Sequence, residues 1–242
     1  MYVRMYFENR GEMVAWISED LNLELPFQNE VRRWRQEVYF EAPLKVEGEG
    51  TLVVDRGDVA FWPPGGCLCL FHGVSQPYSP VIKLGAIVGV PDLLASVEDG
   101  TPVRVDPYKD YGEEGKIAEL LRKRGFKAVS HTWEEEEYVG VLVEGANSRV
   151  GMEVSVEDYG FYVQTQPIAF FDNSPPTISF YRSLSPEISA TGVRLDLDEE
   201  GYMVLTSFFN TVDELVKGLK RMLSTYVYVE RMLTAFYAVR RP

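Results

Sequence analysis

The chain has 242 residues, of which 45% are hydrophobic and 13% aromatic, so it is long and apolar enough to bury a core in one or two domains. Its net charge of −13 is spread over both halves of the chain, and an acidic surface repels the phosphate backbone of nucleic acids. The sequence predicts no secretory leader and no membrane span, and its two cysteines, Cys67 and Cys69, are too close together to suit a disulfide. We therefore expect a cytoplasmic protein without a nucleic-acid or membrane partner.

The first elements predicted along the chain are strands. They are expected at residues 2–8 and at Glu37 to Glu41. Between them, residues 18–29 contain Pro26, which interrupts a helix. We expect any helix in that stretch to be short or absent.

The segment from Gly57 to Gly73 predicts two strands joined by a rigid turn. Two prolines followed by two glycines, residues 63–66, combine fixed φ values with the freedom needed to reverse direction. Apolar residues occur at both odd and even positions on each side of this turn. Both faces of the hairpin are therefore expected to be covered.

This segment resembles the Gly-Asp-hydrophobic-aromatic-Trp-Pro-Pro-Gly stretch of the small prokaryotic cyclophilin-like proteins, a β-barrel family of largely unknown function. The opening strand, the strand from Glu37 to Glu41 and the stretch from Pro91 to Gly100 extend the resemblance over about residues 1–105. It implies an N-terminal all-β cyclophilin-like barrel. True cyclophilins isomerise Xaa-Pro bonds with an arginine on a strand, and the strand from Glu37 to Glu41 has none. Three arginines lie just upstream around Trp34, where we interpret them as a solvated basic stretch.

A polar stretch, residues 108–115, predicts a linker between a domain of residues 1–107 and a second domain of residues 116–242. The second domain is predicted as α+β. Its expected elements are a helix over 116–123 that ends at Gly125, an antiparallel meander over 126–130, 138–144, 150–156 and 161–166, a short helix over 178–184, and a hairpin of 192–197 with 202–208.

A long helix is predicted to close the chain. Thr211 and Glu214 form a capping-box pattern at its start. Apolar residues then follow at intervals of four and three and predict one buried seam, which we assign to core packing rather than to an intersubunit contact: Leu215, Leu219, Met222, Tyr226, Val229, Leu233 and Phe236. The order of elements is similar to the type III secretion chaperone-like fold. That similarity implies a module for protein interaction or self-association, including a homodimer through this domain.

No pattern for catalysis, metal binding or cofactor binding emerges. His131 lies beside Glu134 in an expected acidic turn, and the two cysteines have no neighbouring base, so we predict structural roles for them. The sequence therefore predicts no metal and no cofactor.

The expected site is an apolar binding surface beside the proline turn. Its candidate residues are Tyr39, Trp62, Pro63, Pro64, Phe71, His72 and Gln76. The favoured hypothesis is a non-catalytic barrel that binds a peptide or small apolar ligand, fused to the interaction domain. The alternatives are a weak peptidyl-prolyl isomerase and an interaction scaffold without a ligand.

Overall fold

The computed structural model describes residues 1–18 and 21–239 and divides into two compact units, unit 1 (Met1–Val141) and unit 2 (Leu142–Pro242). The predicted linker, residues 108–115, lies inside unit 1, and its last residues already belong to a helix. The boundary between the units therefore comes later in the chain than the predicted linker. The division into domains of residues 1–107 and 116–242 stays a prediction about which parts of the chain fold separately.

Unit 1 consists mainly of antiparallel strands. They are β1 (Tyr2–Phe7), β2 (Gly11–Ile17), β3 (Phe27–Glu30), β4 (Arg32–Trp34), β5 (Glu37–Glu41), β6 (Asp58–Trp62), β7 (Cys67–Phe71), β8 (Ile82–Val88), β9 (Pro102–Pro107) and β10 (Lys127–Trp133), with a short 3-10 helix (Pro91–Ser96) and helix α1 (Gly112–Lys123). Strand β11 (Glu136–Glu144) runs across the boundary into unit 2. The predicted strands at residues 2–8 and 37–41 are confirmed. Of the stretch 18–29, residues 19 and 20 lie outside the described residues, and the others form no helix.

The strand pairings of unit 1 form a ring. From β3 the ring runs through β9, β1, β2, β8, β6, β7 and β5 to β4. Only Val31 separates β3 from β4, so one stretch of chain pairs with β9 through its first half and with β5 through its second. The series of pairings thus begins and ends in this one stretch of chain, in a mostly antiparallel sheet that curls into a half-barrel.

The inner face of this ring carries the main core of unit 1. Alternate residues of β5 and β7, such as Phe40, Leu68 and Leu70, point into it and are buried with residues of β1, β2 and β9. The other alternate residues of β6 and β7, including Ala60, Cys69 and Phe71, form a second buried cluster. Both faces of the hairpin are thus covered, as the sequence predicted.

Unit 2 combines an antiparallel sheet with two helices. Its elements after β11 are β12 (Arg149–Glu157), β13 (Gly160–Thr165), β14 (Ala169–Phe170), helix α2 (Pro175–Ser189), β15 (Arg194–Leu197), β16 (Tyr202–Phe209) and helix α3 (Val212–Val239). The predicted meander and hairpin are confirmed in type. Helix α2 is longer than the predicted 178–184, because Ser174 caps its start and Phe180, Leu184 and Ile188 continue a buried stripe at intervals of four.

The start and the apolar seam of α3 follow the sequence prediction. The hydroxyl of Thr211 accepts a hydrogen bond from the Glu214 backbone N–H at 3.2 Å. The Glu214 carboxylate reaches back to the backbone N–H of Asn210, at 2.9 Å, one residue earlier than in an ideal capping box. The seam is buried from Leu215 to Leu233, which supports core packing. No helix in the described part of the chain has the length and apolar character needed to cross a bilayer.

Candidate functional site

A cavity of about 240 Å³ lies on the outer face of the unit 1 strands, beside the proline turn. Residues of three parts of unit 1 meet there: β4 and β5, the end of β6, and the segment before β8. The lining residues are Trp34, Glu37, Tyr39, Trp62, Pro77, Tyr78, Ser79 and Val81. Its volume is below the roughly 300–1,000 Å³ typical of sites for drug-sized ligands. The cavity therefore suits a small molecule or a single side chain of a larger partner.

Four aromatic rings dominate the walls. Tyr39 and Trp62 meet edge to face, with ring centroids 6.4 Å apart and planes inclined by 82°. Trp34 and Tyr78 meet in the same way at 6.1 Å and 76°. The indole N–H of Trp62 donates a hydrogen bond to the hydroxyl of Ser79 at 2.7 Å. Because that bond satisfies the polar edge of Trp62, its ring orientation is held without a ligand.

The proline turn positions Trp62. The backbone N–H of Gly66 bonds to the carbonyl of Pro63 at 3.3 Å and closes the turn. A Cβ at Gly65 would lie 2.3 Å from the Trp62 ring, so the ring packs directly on this glycine. Pro63 and Pro64 are exposed at the tip of the turn and do not line the cavity.

Two glutamines hold the segment that carries Tyr78. The side-chain carbonyl of Gln36 accepts hydrogen bonds from the backbone N–H groups of Val74 and Ser75, at 3.0 and 3.2 Å. The side-chain amide of Gln76 bonds in both directions to the backbone of Val54, at 2.9 and 3.2 Å. Gln76, a candidate ligand-binding residue, does not line the cavity, and its amide fixes the segment that forms one wall of it.

Glu37 is the buried acidic group of the cavity, with 7% of its surface exposed. It shares a side-chain hydrogen bond with Cys69, and burial raises the pKa of the Glu37 carboxyl. Burial is also the largest cause of the raised pKa of the Cys69 thiol, and the charge of Glu37 is the next largest. In the described part of the chain no lysine or arginine forms an ion pair with Glu37. Cys69 is thus a protonated thiol rather than a nucleophile, which agrees with its predicted structural role.

The structure brings together only part of the predicted site. Tyr39 and Trp62 line the cavity, while Phe71 is fully buried in the cluster against which both of them pack. The candidate residues did not include Trp34, Glu37 or Tyr78, which also line the cavity. A usable signal existed for Glu37, because strand alternation puts it on the same face as Tyr39. Nothing in the pattern connected Trp34 with Tyr78, which are 44 positions apart.

His72 does not line the cavity and is buried, with 5% of its surface exposed. Its Nε2 atom has no hydrogen-bond partner among the described residues. Burial, followed by the charges of Arg33 and Arg56, lowers the pKa of His72 to about 4. The neutral imidazole is therefore the form that the fold accommodates.

The low pKa of His72 predicts acid destabilisation. Because the folded-state pKa lies below the unfolded value of 6.5, the stabilisation is present above pH 6.5 and is lost as the pH falls towards 4. At about 1.4 kcal/mol per pKa unit, the loss amounts to roughly 3 kcal/mol. Urea unfolding followed by tryptophan fluorescence measures it well, because all four tryptophans lie in unit 1.

The control is His72→Phe, which removes the titrating group and keeps an apolar ring. The unfolding free energy of wild type minus that of this variant should fall by about 3 kcal/mol between pH 7 and pH 4. A difference that stays constant over this range would contradict the neutral buried imidazole.

The described residues include no group of three or more His, Cys, Asp or Glu side chains that could hold a metal ion. His131 is buried, and its Nδ1 lies 3.1 Å from the carbonyl oxygen of Glu12. Glu134 and Glu135 both have positive φ values and form the turn between β10 and β11, as the acidic-turn interpretation predicted.

Residues 1–106 match the protein family described as Cyclophilin-like. A similar solved structure is the solution structure of the hypothetical protein AF2241 from Archaeoglobus fulgidus, with 33% identity, coverage of 45% of this chain and 95% of that one, and a TM-score of 0.37. Another is the structure of McbB in complex with tryptophan, with 15% identity, coverage of 50% of this chain and 54% of that one, and a TM-score of 0.35. No curated protein matches the chain. These findings give no support to the predicted similarity to the type III secretion chaperone-like fold.

Proposed function

From the membership of residues 1–106 in the cyclophilin-like family, we propose that unit 1 is a non-catalytic binding module for a small ligand or a single peptide side chain. The observation that carries this proposal is the cavity walled by Trp34, Tyr39, Trp62 and Tyr78. Aromatic walls supply large contact area and lose little conformational entropy on binding. The Trp62 ring is held by its bond to Ser79, and the segment that carries Tyr78 is held by the Gln76 amide, which lowers the ordering needed when a ligand enters.

A binding role suits this cavity better than catalysis. Its lining contains Glu37 and two tyrosines but no histidine, cysteine or arginine among the described residues. Arg33, one of the arginines near Trp34, donates to the carbonyls of Ala95 and Val97 instead. Peptidyl-prolyl isomerisation by the arginine mechanism of true cyclophilins therefore has less support than binding. Unit 2 remains, by proposal, the part that serves interaction with a partner or with a second copy.

Removal of one exposed wall of the cavity should weaken binding without harming the fold. Tyr78 is 82% exposed, so Tyr78→Ala should change the unfolding free energy by less than about 0.5 kcal/mol. The same change should weaken ligand binding about tenfold, because the ring closes one side of the cavity. The probes are a short Xaa-Pro peptide and 3,3-dimethyl-1-butanol, each titrated into the full chain with ligand-observed NMR.

A matched control is Tyr159→Ala, which removes another tyrosine that is 72% exposed, in unit 2. It should leave the affinity for both probes unchanged. Cis/trans exchange of the peptide, followed in the same samples, distinguishes binding from isomerisation. If the two variants weaken binding equally, the cavity is not the binding site.

A further inference from the structure

The cavity combines four aromatic side chains with one buried carboxyl group. An aromatic face carries a negative quadrupole that attracts a cation, so a lining rich in aromatic rings favours one. The Trp34 ring already receives one: the guanidinium carbon of Arg35 lies 5.4 Å from its ring centroid. Arg35 itself does not line the cavity, so the space between the rings is left for another group.

Glu37 adds a buried carboxyl group that forms no ion pair among the described residues. The Glu37 carboxyl is buried at the cavity and shares a hydrogen bond with a neutral thiol. A buried carboxylate without a cationic partner is costly, since desolvation is not repaid by an ion pair. A positively charged ligand would supply the missing partner at this position.

The remaining polar groups limit the kind of cation. The side-chain acceptors of the cavity are the Ser79 hydroxyl, which takes the N–H of Trp62, the Glu37 carboxyl and the hydroxyls of the two tyrosines, and the other walls are mainly apolar. An ammonium ion with three N–H donors would exchange its hydrogen bonds with water for a mainly aromatic lining, which is costly. A quaternary or trimethylated ammonium has no N–H to satisfy, and its methyl groups match apolar aromatic walls.

Resting on the proposed binding function, we propose that the cavity takes a methylated ammonium cation, held by Trp34, Tyr39, Trp62 and Tyr78 with Glu37 as its counter-ion. The group would come either from a free small molecule or from a methylated lysine side chain. A volume of about 240 Å³ admits a single head group of this kind.

The decisive experiment compares choline with 3,3-dimethyl-1-butanol, its neutral isostere, by titration calorimetry on the full chain. Choline is expected to bind at least about tenfold more tightly, because the two ligands have the same shape and differ in charge. Equal affinities would overturn the cation inference and leave the proposed binding function standing. If neither compound binds and the peptide does not bind either, both proposals fail.

Glu37→Gln tests the counter-ion. It should weaken choline binding about tenfold and leave 3,3-dimethyl-1-butanol unaffected, because the amide keeps the shape and loses the charge. Glu41→Gln is the matched control, since Glu41 lies on the same strand and face but outside the cavity lining. It should change choline affinity less than twofold. An equal loss in both variants would indicate a general surface charge effect and contradict the site.

The pH dependence of choline affinity gives a second readout. A bound cation favours the ionised carboxyl, so affinity should rise as the pH rises through the raised pKa of Glu37. The other titratable or charged groups around this face are Tyr39, Cys67, Cys69, Arg32, Glu41 and Asp99. The two thiols and Tyr39 have raised pKa values and stay neutral at acidic pH. If the Glu37→Gln variant loses the pH dependence of choline affinity, that dependence belongs to Glu37. If the variant keeps the pH dependence, the assignment to Glu37 is contradicted.

A third comparison separates the two sources of the group. A peptide with Nε-trimethyllysine and the same peptide with unmodified lysine are titrated beside choline. Tighter binding of the trimethylated peptide than of choline indicates a modified protein partner, and equal or weaker binding indicates a free small molecule. Binding of the unmodified peptide as tightly as the trimethylated one would overturn the requirement for methylation.

Discussion

Gly85→Ala is expected to destabilise unit 1 by about 3–5 kcal/mol, at the upper end of what single substitutions do. Gly85 lies in β8 between two partner strands, opposite Ile17 on one side and Val59 on the other. An added Cβ would lie 1.9 Å from the backbone oxygen of Trp16 and 2.8 Å from the Cα of Ile17. Both neighbours are backbone atoms, so the clash can be relieved only by separating paired strands.

The measurement is urea unfolding of the full chain, followed by tryptophan fluorescence from unit 1. Gly48→Ala is the matched control, because its Cβ would meet only side-chain methyl groups of Ile82, the nearer at 3.3 Å, in an exposed segment. That variant should stay within about 1 kcal/mol of wild type. A Gly85→Ala protein as stable as Gly48→Ala would show that β2 and β8 are not as close as the structure has them.

Phe71→Ala should cost about 3–5 kcal/mol, the usual range for a fully buried phenylalanine. Phe71 has no exposed surface and packs in the cluster that also contacts Tyr39 and Trp62. Truncation would leave a void directly beneath two walls of the aromatic cavity. The same substitution should therefore also weaken binding at the cavity.

Tyr78→Ala separates these two effects, because it removes a wall that is not part of the core. In urea unfolding it should be close to wild type, whereas Phe71→Ala should show a midpoint well below both. A cost below about 1 kcal/mol for Phe71→Ala would mean that the outer-face cluster is not tightly packed.

Short-range features of this protein could be predicted from the residues alone. The turn at residues 63–66, the alternation of β6 and β7 and the seam of α3 all depend on neighbours within a few positions. Local rules of this kind also predicted the hydrogen bond from the Glu214 backbone to Thr211. The resemblance of the proline-turn segment supplied the family, which the match over residues 1–106 confirms.

The candidate site was predicted only in part, for a physical reason. Apolar character suggested a binding role for Phe71, and Gln76 was included because it lies nearby in the sequence. In the structure Phe71 belongs to the core, and the side chain of Gln76 bonds to the backbone. Glu37 could be placed on the face of Tyr39 by alternation, yet a strand pattern cannot show whether that face is covered. Exposure is decided by whatever packs over the face, which comes from elsewhere in the chain.

The strand periods, the rigid turn, the long final helix and the family of residues 1–106 could be predicted from the residues alone, because each depends on local geometry or a contiguous motif. Which strands lie side by side and which rings share a cavity depends on long-range packing and emerged only from the folded chain. Trp34 meets Tyr78 because β4 continues from β3 into the ring of strands and the segment before β8 is tied down by Gln36 and Gln76. Side-chain alternation fixes a face, whereas long-range packing decides what that face encloses, and so the burial of Glu37 among aromatic rings emerged only from the folded chain.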